Sequence, residues 1–140
     1  MEVPLLFISS YILKNRDNYY KLLAGVTEKG MWKDWILFIL KGVEEQANFT
    51  EDTIVAVKSL VVEYKTTALA KKLPSDADFI DHLFSNPFYT YNRLSEELSV
   101  HRNTAISYLK QLQEAGVLNS MTVKRELVFY YPKFLDVLSR

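Results

Sequence analysis

From Leu5 to Ala68, apolar residues return every three or four positions, and the rhythm stops at Leu73-Pro74-Ser75. That period matches the 3.6-residue turn of an α-helix. Beyond Pro74 the segments shorten, and the last of them alternate. A chain so patterned is expected to be mainly α. The expected parts are a helical region over residues 1–74, ending in a long connector helix, and a smaller domain over residues 75–140. At 140 residues the chain is one domain or two very small ones. A chain of this size can bury about two-thirds of its unfolded surface.

In the first block, Pro4 suits a first helical turn, where its missing N–H costs nothing. Leu5, Ile8 and Ile12 follow on one face, and Lys14-Asn15-Arg16-Asp17 is a polar break. A second helix carries Tyr19, Tyr20, Leu22 and Leu23 and fades at Gly25; Gly30 is the next punctuation. Trp32, Trp35, Ile36, Ile39, Leu40 and Val43 make a wide stripe on a third helix, with Phe38 beside it, ending at Asn48. Thr50 then reads as a cap for a new helix. Glu51 and Asp52 sit at its positive end, and Phe49 is placed to staple onto Ile54. Ile54, Val57, Val61, Tyr64 and Ala68 recur at 3-4-3-4 spacing, with Leu60 adjacent. Such a stripe is a core face or a helical connector, and the same spacing would also serve a dimer seam.

In the second block, Ser75 and Asp78 open a short helix with Phe79, Ile80 and Leu83, closed by Phe84. Asn86-Pro87 is a turn. Thr90 caps a helix from Tyr91 to Leu98, and Ser99-Val100-His101 makes a tight connection. The next helix runs from Arg102 to Ala115, with Ala105, Tyr108, Leu109 and Leu112 facing inward. Gly116 stands where a positive φ is wanted. Met121-Thr122-Val123 and Leu127 to Tyr131 are β-prone runs joined by a polar tip, Lys124-Arg125-Glu126. Pro132 precedes a last short helix with Phe134, Leu135 and Leu138.

Helix, helix, tight turn, helix and hairpin is the order of a winged helix-turn-helix. The second helix of the pair offers its outer face to a major groove, and the hairpin flanks it. The outward residues are Arg102, Asn103, Ile106, Ser107 and Lys110. Arg102 and Asn103 have the chemistry to read base edges, Ile106 to touch a thymine methyl, and Lys110, Lys124 and Arg125 to meet phosphate. Against a DNA partner stands the charge. Residues 75–140 hold seven Lys/Arg and eight Asp/Glu, a net of −1, whereas phosphate neutralisation drives most non-specific DNA affinity. Winged helices also serve as docking or dimerisation modules.

Several chemistries drop out. Without cysteine there is no disulfide, thiolate metal site or thiol nucleophile, and a reducing compartment fits. The longest apolar run, Trp35 to Leu40, falls far short of the roughly 20 residues of a bilayer span. Met1-Glu2-Val3-Pro4 does not read as a signal peptide. The expected location is therefore the cytoplasm, with no membrane partner. Glu44-Glu45 and Asp76/Asp78/Asp81 lack a histidine at ligand spacing and read as solvated helix faces and starts. There is no glycine-rich phosphate loop and no nucleophile motif. No metal, cofactor or small-molecule ligand is expected.

Three segments resemble the C-terminal part of Fic proteins. They are Pro4-Leu5-Leu6-Phe7-Ile8-Ser9-Ser10-Tyr11-Ile12, Asn15-Arg16-Asp17-Asn18-Tyr19-Tyr20, and Trp32-Lys33-Asp34-Trp35-Ile36-Leu37-Phe38-Ile39-Leu40-Lys41-Gly42-Val43. The family patterns are roughly P-x-L-Y-x-S-x-Y, N-R-x-x-Y-Y and W-x-x-W-I-x-F-F-L-x-G-V, at similar separations and in this order. Asn103-Thr104-Ala105, Tyr108-Leu109 and the run Leu112 to Leu118 resemble the helix-turn-helix appended in that family. The resemblance implies enzymes that transfer AMP from ATP to a hydroxyl of a target protein. Their H-P-F-x-D/E-G-N-G-R signature supplies the general base, the magnesium ligand and the phosphate cradle.

That signature is absent from this sequence. His82-Leu83-Phe84 imitates its opening, but Ser85-Asn86-Pro87 follows. His82 is expected on a helix surface and His101 in a turn. The resemblance thus implies a non-catalytic regulatory C-terminal region carrying a winged helix that binds duplex DNA. It leaves open a piece of an adenylyltransferase whose catalytic segment lies elsewhere, or a docking or dimerisation module. In the family the matching helices flank the catalytic bundle. Here Leu5, Leu6, Tyr19, Tyr20, Trp32 and Trp35 are expected to be partly exposed or buried against a second copy, so a homodimer or a tight repacking is expected.

Overall fold

The computed structural model describes residues 8–140. Pro4, Leu5 and Leu6 lie outside the described residues. In chain order the elements are α1 (Ile8–Lys14), α2 (Arg16–Lys29), α3 (Trp32–Lys71), α4 (Ala77–Leu83), β1 (Phe88–Tyr89), α5 (Tyr91–Leu98), α6 (Arg102–Glu114), β2 (Asn119–Val123), β3 (Glu126–Tyr130) and α7 (Pro132–Leu138). The architecture is mainly helical with one three-stranded antiparallel sheet, order β1-β3-β2. The chain divides into two compact units, Met1–Ile54 and Val55–Arg140. This division falls inside α3, whereas the boundary drawn from sequence at 74/75 follows the end of that helix.

In the first unit, Tyr11 of α1 is buried with its ring 5.1 Å from that of Phe38 on α3. Gly42 makes the approach possible, because a Cβ there would fall 2.5 Å from Tyr11 Cδ1. Tyr19 of α2 lies 5.3 Å from the Trp35 ring. Helix α2 does not fade at Gly25; it continues to Lys29 and ends at Gly30.

The break expected at Asn48 is also absent, and α3 runs unbroken from Trp32 to Lys71. Thr50 is no cap. Its hydroxyl donates to the Gln46 carbonyl at 2.8 Å, and that of Thr53 to Phe49 at 2.9 Å. Between Gly42 and Pro74 the sequence has neither Gly nor Pro, so nothing in the chain forces the helix to stop.

The second unit is built around a continuous core. Leu60, Tyr64 and Ala68 of α3 pack with Phe79 and Leu83 of α4, Leu94 of α5, the inner face of α6 and Phe129 of β3. The Tyr64 hydroxyl donates to the Pro74 carbonyl at 2.6 Å, tying the end of α3 to the loop that follows. Lys71 donates to the Ala115 carbonyl at 2.9 Å. Burial holds the Tyr64 and Tyr89 phenols well above the usual tyrosine range. Burial, with the Glu63 carboxylate adding to it, pushes Tyr131 up to about 12.

Within α4, Asp76 provides the cap, accepting from the Phe79 amide at 3.2 Å. His82 is not a surface residue: it is buried and pairs through Nδ1 with Glu97 of α5. It shares the inward face with Phe79 and Leu83, and an imidazole is small enough to follow them in.

Beta pairing extends beyond the expected hairpin. Phe88–Tyr89 forms a short first strand against β3, Tyr89 opposite Phe129. In the hairpin itself, Met121 pairs with Val128 and Val123 with Glu126. The tip is therefore two residues, Lys124 and Arg125, with φ of 47° and 72°. Glu126 belongs to the strand.

Candidate nucleic-acid interface

Local chemistry fixes the pair α5–α6. Thr90 caps α5 by accepting from the Arg93 amide at 3.3 Å. At the other end Ser99 takes the left-handed conformation, φ 52°, which turns the chain within three residues. Ser95 Oγ donates to the Val100 carbonyl at 2.7 Å and clasps that turn. His101 caps α6, its Nδ1 accepting from the Asn103 amide at 3.2 Å. The turn position expected for His101 is correct, and its capping role is additional.

Ala105, Leu109 and Leu112 are the buried face of α6, and Tyr108 is half-buried beside them with its ring 5.5 Å from Phe79. With that face committed, the helix turns Arg102, Asn103, Ser107 and Lys110 to solvent. Ile106 is half-buried, intermediate between the two faces. The Ser107 hydroxyl accepts from Gln111 Nε2 at 2.9 Å. Gly116, φ 80°, ends the helix region in the conformation expected of it. Gln113 then donates to Ser120 at 2.8 Å and links α6 to β2.

Lys124 and Arg125 are exposed at the hairpin tip. Arg125 is brought to the start of α6. A depression of about 230 Å³ is lined by Tyr91, Asn92, Arg102, Arg125, Glu126 and Leu127. Arg102 and Arg125, far apart in sequence, thus face one hollow. Lys110 and Lys124 are not among its lining residues. Tyr91 and Asn92 line the same hollow and do not stand out in the sequence. The readable signal was the Thr90 cap, which fixes the first turn of α5 beside the start of α6.

Acidic groups are close by. Glu126 lines the same hollow. On α5, the hydrogen bond from Arg93 at 2.7 Å, with His82 adding to it, holds the Glu97 carboxyl below the usual range. A larger hollow of about 520 Å³ lies between α3 and α7 and shares no lining residue with the α6 site.

The residues present do not fit a nucleotide-magnesium site. His82 is buried against α5, and Ser85-Asn86-Pro87-Phe88-Tyr89-Thr90 stands where the signature would place its acid, glycine pair and arginine. Among the described residues there is no group of His, Asp and Glu side chains arranged to hold a metal ion. No helix of the described residues is long and apolar enough to cross a membrane.

Residues 64–134 match the family model described as protein adenylyltransferase SoFic-like, C-terminal domain. The match runs from the second half of α3 into α7 and includes the whole of α4, the sheet, α5 and α6.

Proposed function

The chain belongs to the SoFic-like C-terminal domain family of protein adenylyltransferases, and from that premise we propose that it is a non-catalytic regulatory region whose second unit is a winged helix that docks on duplex DNA. In this reading α6 enters the major groove and the β2–β3 hairpin is the wing. The observation that carries it is the meeting of Arg102 from α6 and Arg125 from the hairpin at one hollow. Asn103, Ser107 and Lys110 extend the same exposed helix face.

The hairpin tip supports this reading. Lys124 and Arg125 both sit at positive φ, where Asn-Gly would be the cheap choice. Two cations held in that conformation put charge at the tip at some cost in backbone strain. Glu126 and the near-neutral balance of the unit keep non-specific affinity low, which makes binding depend on a few placed contacts.

The test is fluorescence anisotropy on duplexes recovered by selection from a random library, repeated across a salt series. Four cations, Arg102, Lys110, Lys124 and Arg125, set a log–log salt slope of no more than about −4. The double variant R102A/R125A is expected to lose at least tenfold in affinity and to flatten the slope by about 2. Unchanged binding in that variant would reject the assigned face. A library that yields no enriched duplex would instead favour a protein-docking role, which the net charge of −1 over residues 75–140 also fits. Incubation with ATP, magnesium and candidate target proteins is expected to give no adenylylated product.

A further inference from the structure

Helix α3 contains a heptad seam that the described residues of its own unit leave largely uncovered. Ile36, Leu40, Val43, Ala47, Thr50 and Ile54 follow one another at spacings of 4-3-4-3-4. That is the a/d rhythm of a coiled coil. The phase continues at Val57, Val61, Tyr64 and Ala68, where the core of the second unit fills it. In the first unit Ile36 is 50% exposed, Leu40 58% and Ile54 48%; Ala47 is exposed too, and Val43 and Thr50 are half-buried. Phe38 and Gly42, at f and c positions on the side of the helix away from the seam, are the residues that meet α1.

We propose that the first half of α3 forms a parallel two-stranded coiled coil with the same segment of a second copy of this chain. Three features choose this occupant. The first is periodicity: a sustained 3-4 spacing fits another helix lying alongside, not a flat surface or an extended peptide. The second is area. Leu37 flanks the seam at an e position, and Trp32, Met31 and Tyr20 are also exposed in the same unit. Aromatic side chains offer about 150–250 Å² each, so with the seam the exposed apolar surface reaches several hundred Å². That is at or above the roughly 300–600 Å² of a monomer's largest patch, and it approaches the roughly 800 Å² each partner gives a standard interface.

The third feature is charge. With Leu40, Ala47 and Ile54 at a and Ile36, Val43 and Thr50 at d, the flanking e positions are Leu37, Glu44 and Glu51 and the g positions are Ile39, Gln46 and Thr53. Parallel strands set e against g, so Glu44 and Glu51 face Ile39 and Gln46 of the second copy. Antiparallel strands set e against e and would bring the acids together. The small Ala47 and Thr50 in mid-seam leave room for close approach.

The chain has no cysteine, which makes a clean test. In a parallel pair each seam residue meets its own copy. The single variant V43C is expected to oxidise to a disulfide-linked dimer at least tenfold faster than E45C, whose position is on the outer side of the heptad. Sedimentation velocity of the unmodified chain is expected to show dimer at tens of micromolar. L40E should sediment as monomer with its helical circular dichroism intact. A monomer across the whole concentration range would overturn the proposal, and so would equal cross-linking of V43C and E45C. Cross-linking that requires V43C mixed with A47C would overturn it by pointing to antiparallel strands. None of these readouts depends on DNA binding, so the two proposals fail independently.

Discussion

The two units of this chain solve the same problem to different degrees. Between Val55 and Arg140, seventeen apolar side chains are buried; in the first unit the buried ones, among the described residues, are Tyr11 and Phe38. At about 1.5–3 kcal/mol for each fully buried side chain, the second unit has ample reason to fold, and the first has little. Helical pattern alone does not make a core. The first unit forms its helices and then leaves Trp32, Ile36 and Leu40 in water. On the proposal above, a second copy covers that surface.

The contrast is sharpest in core truncations. Phe129 is fully buried at the centre of the sheet. F129A is expected to cost about 3–5 kcal/mol and to lower the main unfolding transition, read by denaturant titration. In the first unit, G42A drives a methyl against the Tyr11 ring. It is expected to loosen α1 from α3, read as faster hydrogen exchange in Ile8–Lys14, and to leave the main transition within about 0.5 kcal/mol of wild type, as for changes outside a core. A G42A midpoint that falls as far as that of F129A would erase the distinction between the units.

Alkaline pH separates them again. Tyr131, raised to about 12 from an ordinary value of 10.0, stabilises the fold fully below pH 10. That contribution is lost as pH rises through 12, because the folded state holds a proton the unfolded chain has released. Tyr64 and Tyr89 are shifted the same way. The second unit is therefore expected to unfold in base as Tyr64, Tyr89 and Tyr131 ionise, with the last part of the phenolate absorbance and the loss of tertiary circular dichroism rising together. Ionisation of all nine tyrosines near pH 10 with the fold intact would show these three rings to be solvated.

The smallest effects concern two threonines. Thr90 accepts from the Arg93 amide, and T90A is expected to cost about 1 kcal/mol. Thr50 lies inside α3 and bonds back to Gln46, so T50A is expected to be neutral or stabilising by up to about 0.5 kcal/mol. A full capping loss at Thr50 would put a break in α3 after all.

These residues also mark what could be read in advance. Thr90, Gly116 and the inward set of α6 were legible because their causes are local: a cap, a positive φ, a helical repeat. Thr50-Glu51-Asp52 carries the same local letters as a helix start, yet the helix passes through it, since the chain on either side is already helical and in phase. His82 looked like a surface residue among Asp78 and Asp81. Its partner Glu97 lies on the next helix, and no local pattern announces a contact at that distance. Phe88–Tyr89 is too short to show any alternation. At the candidate site, the outward residues of α6 followed from its periodicity. The meeting of Arg102 and Arg125 follows from how the hairpin lies, which no spacing encodes.

Hydrogen exchange measured at several protein concentrations tests the central claim, that one unit completes its own core and the other is completed by a second chain. Amides of α5, α6 and β3 are expected to keep the same protection at every concentration. Those of α1, α2 and the first half of α3 are expected to gain protection as concentration rises. Equal protection of both sets in dilute solution would contradict the account.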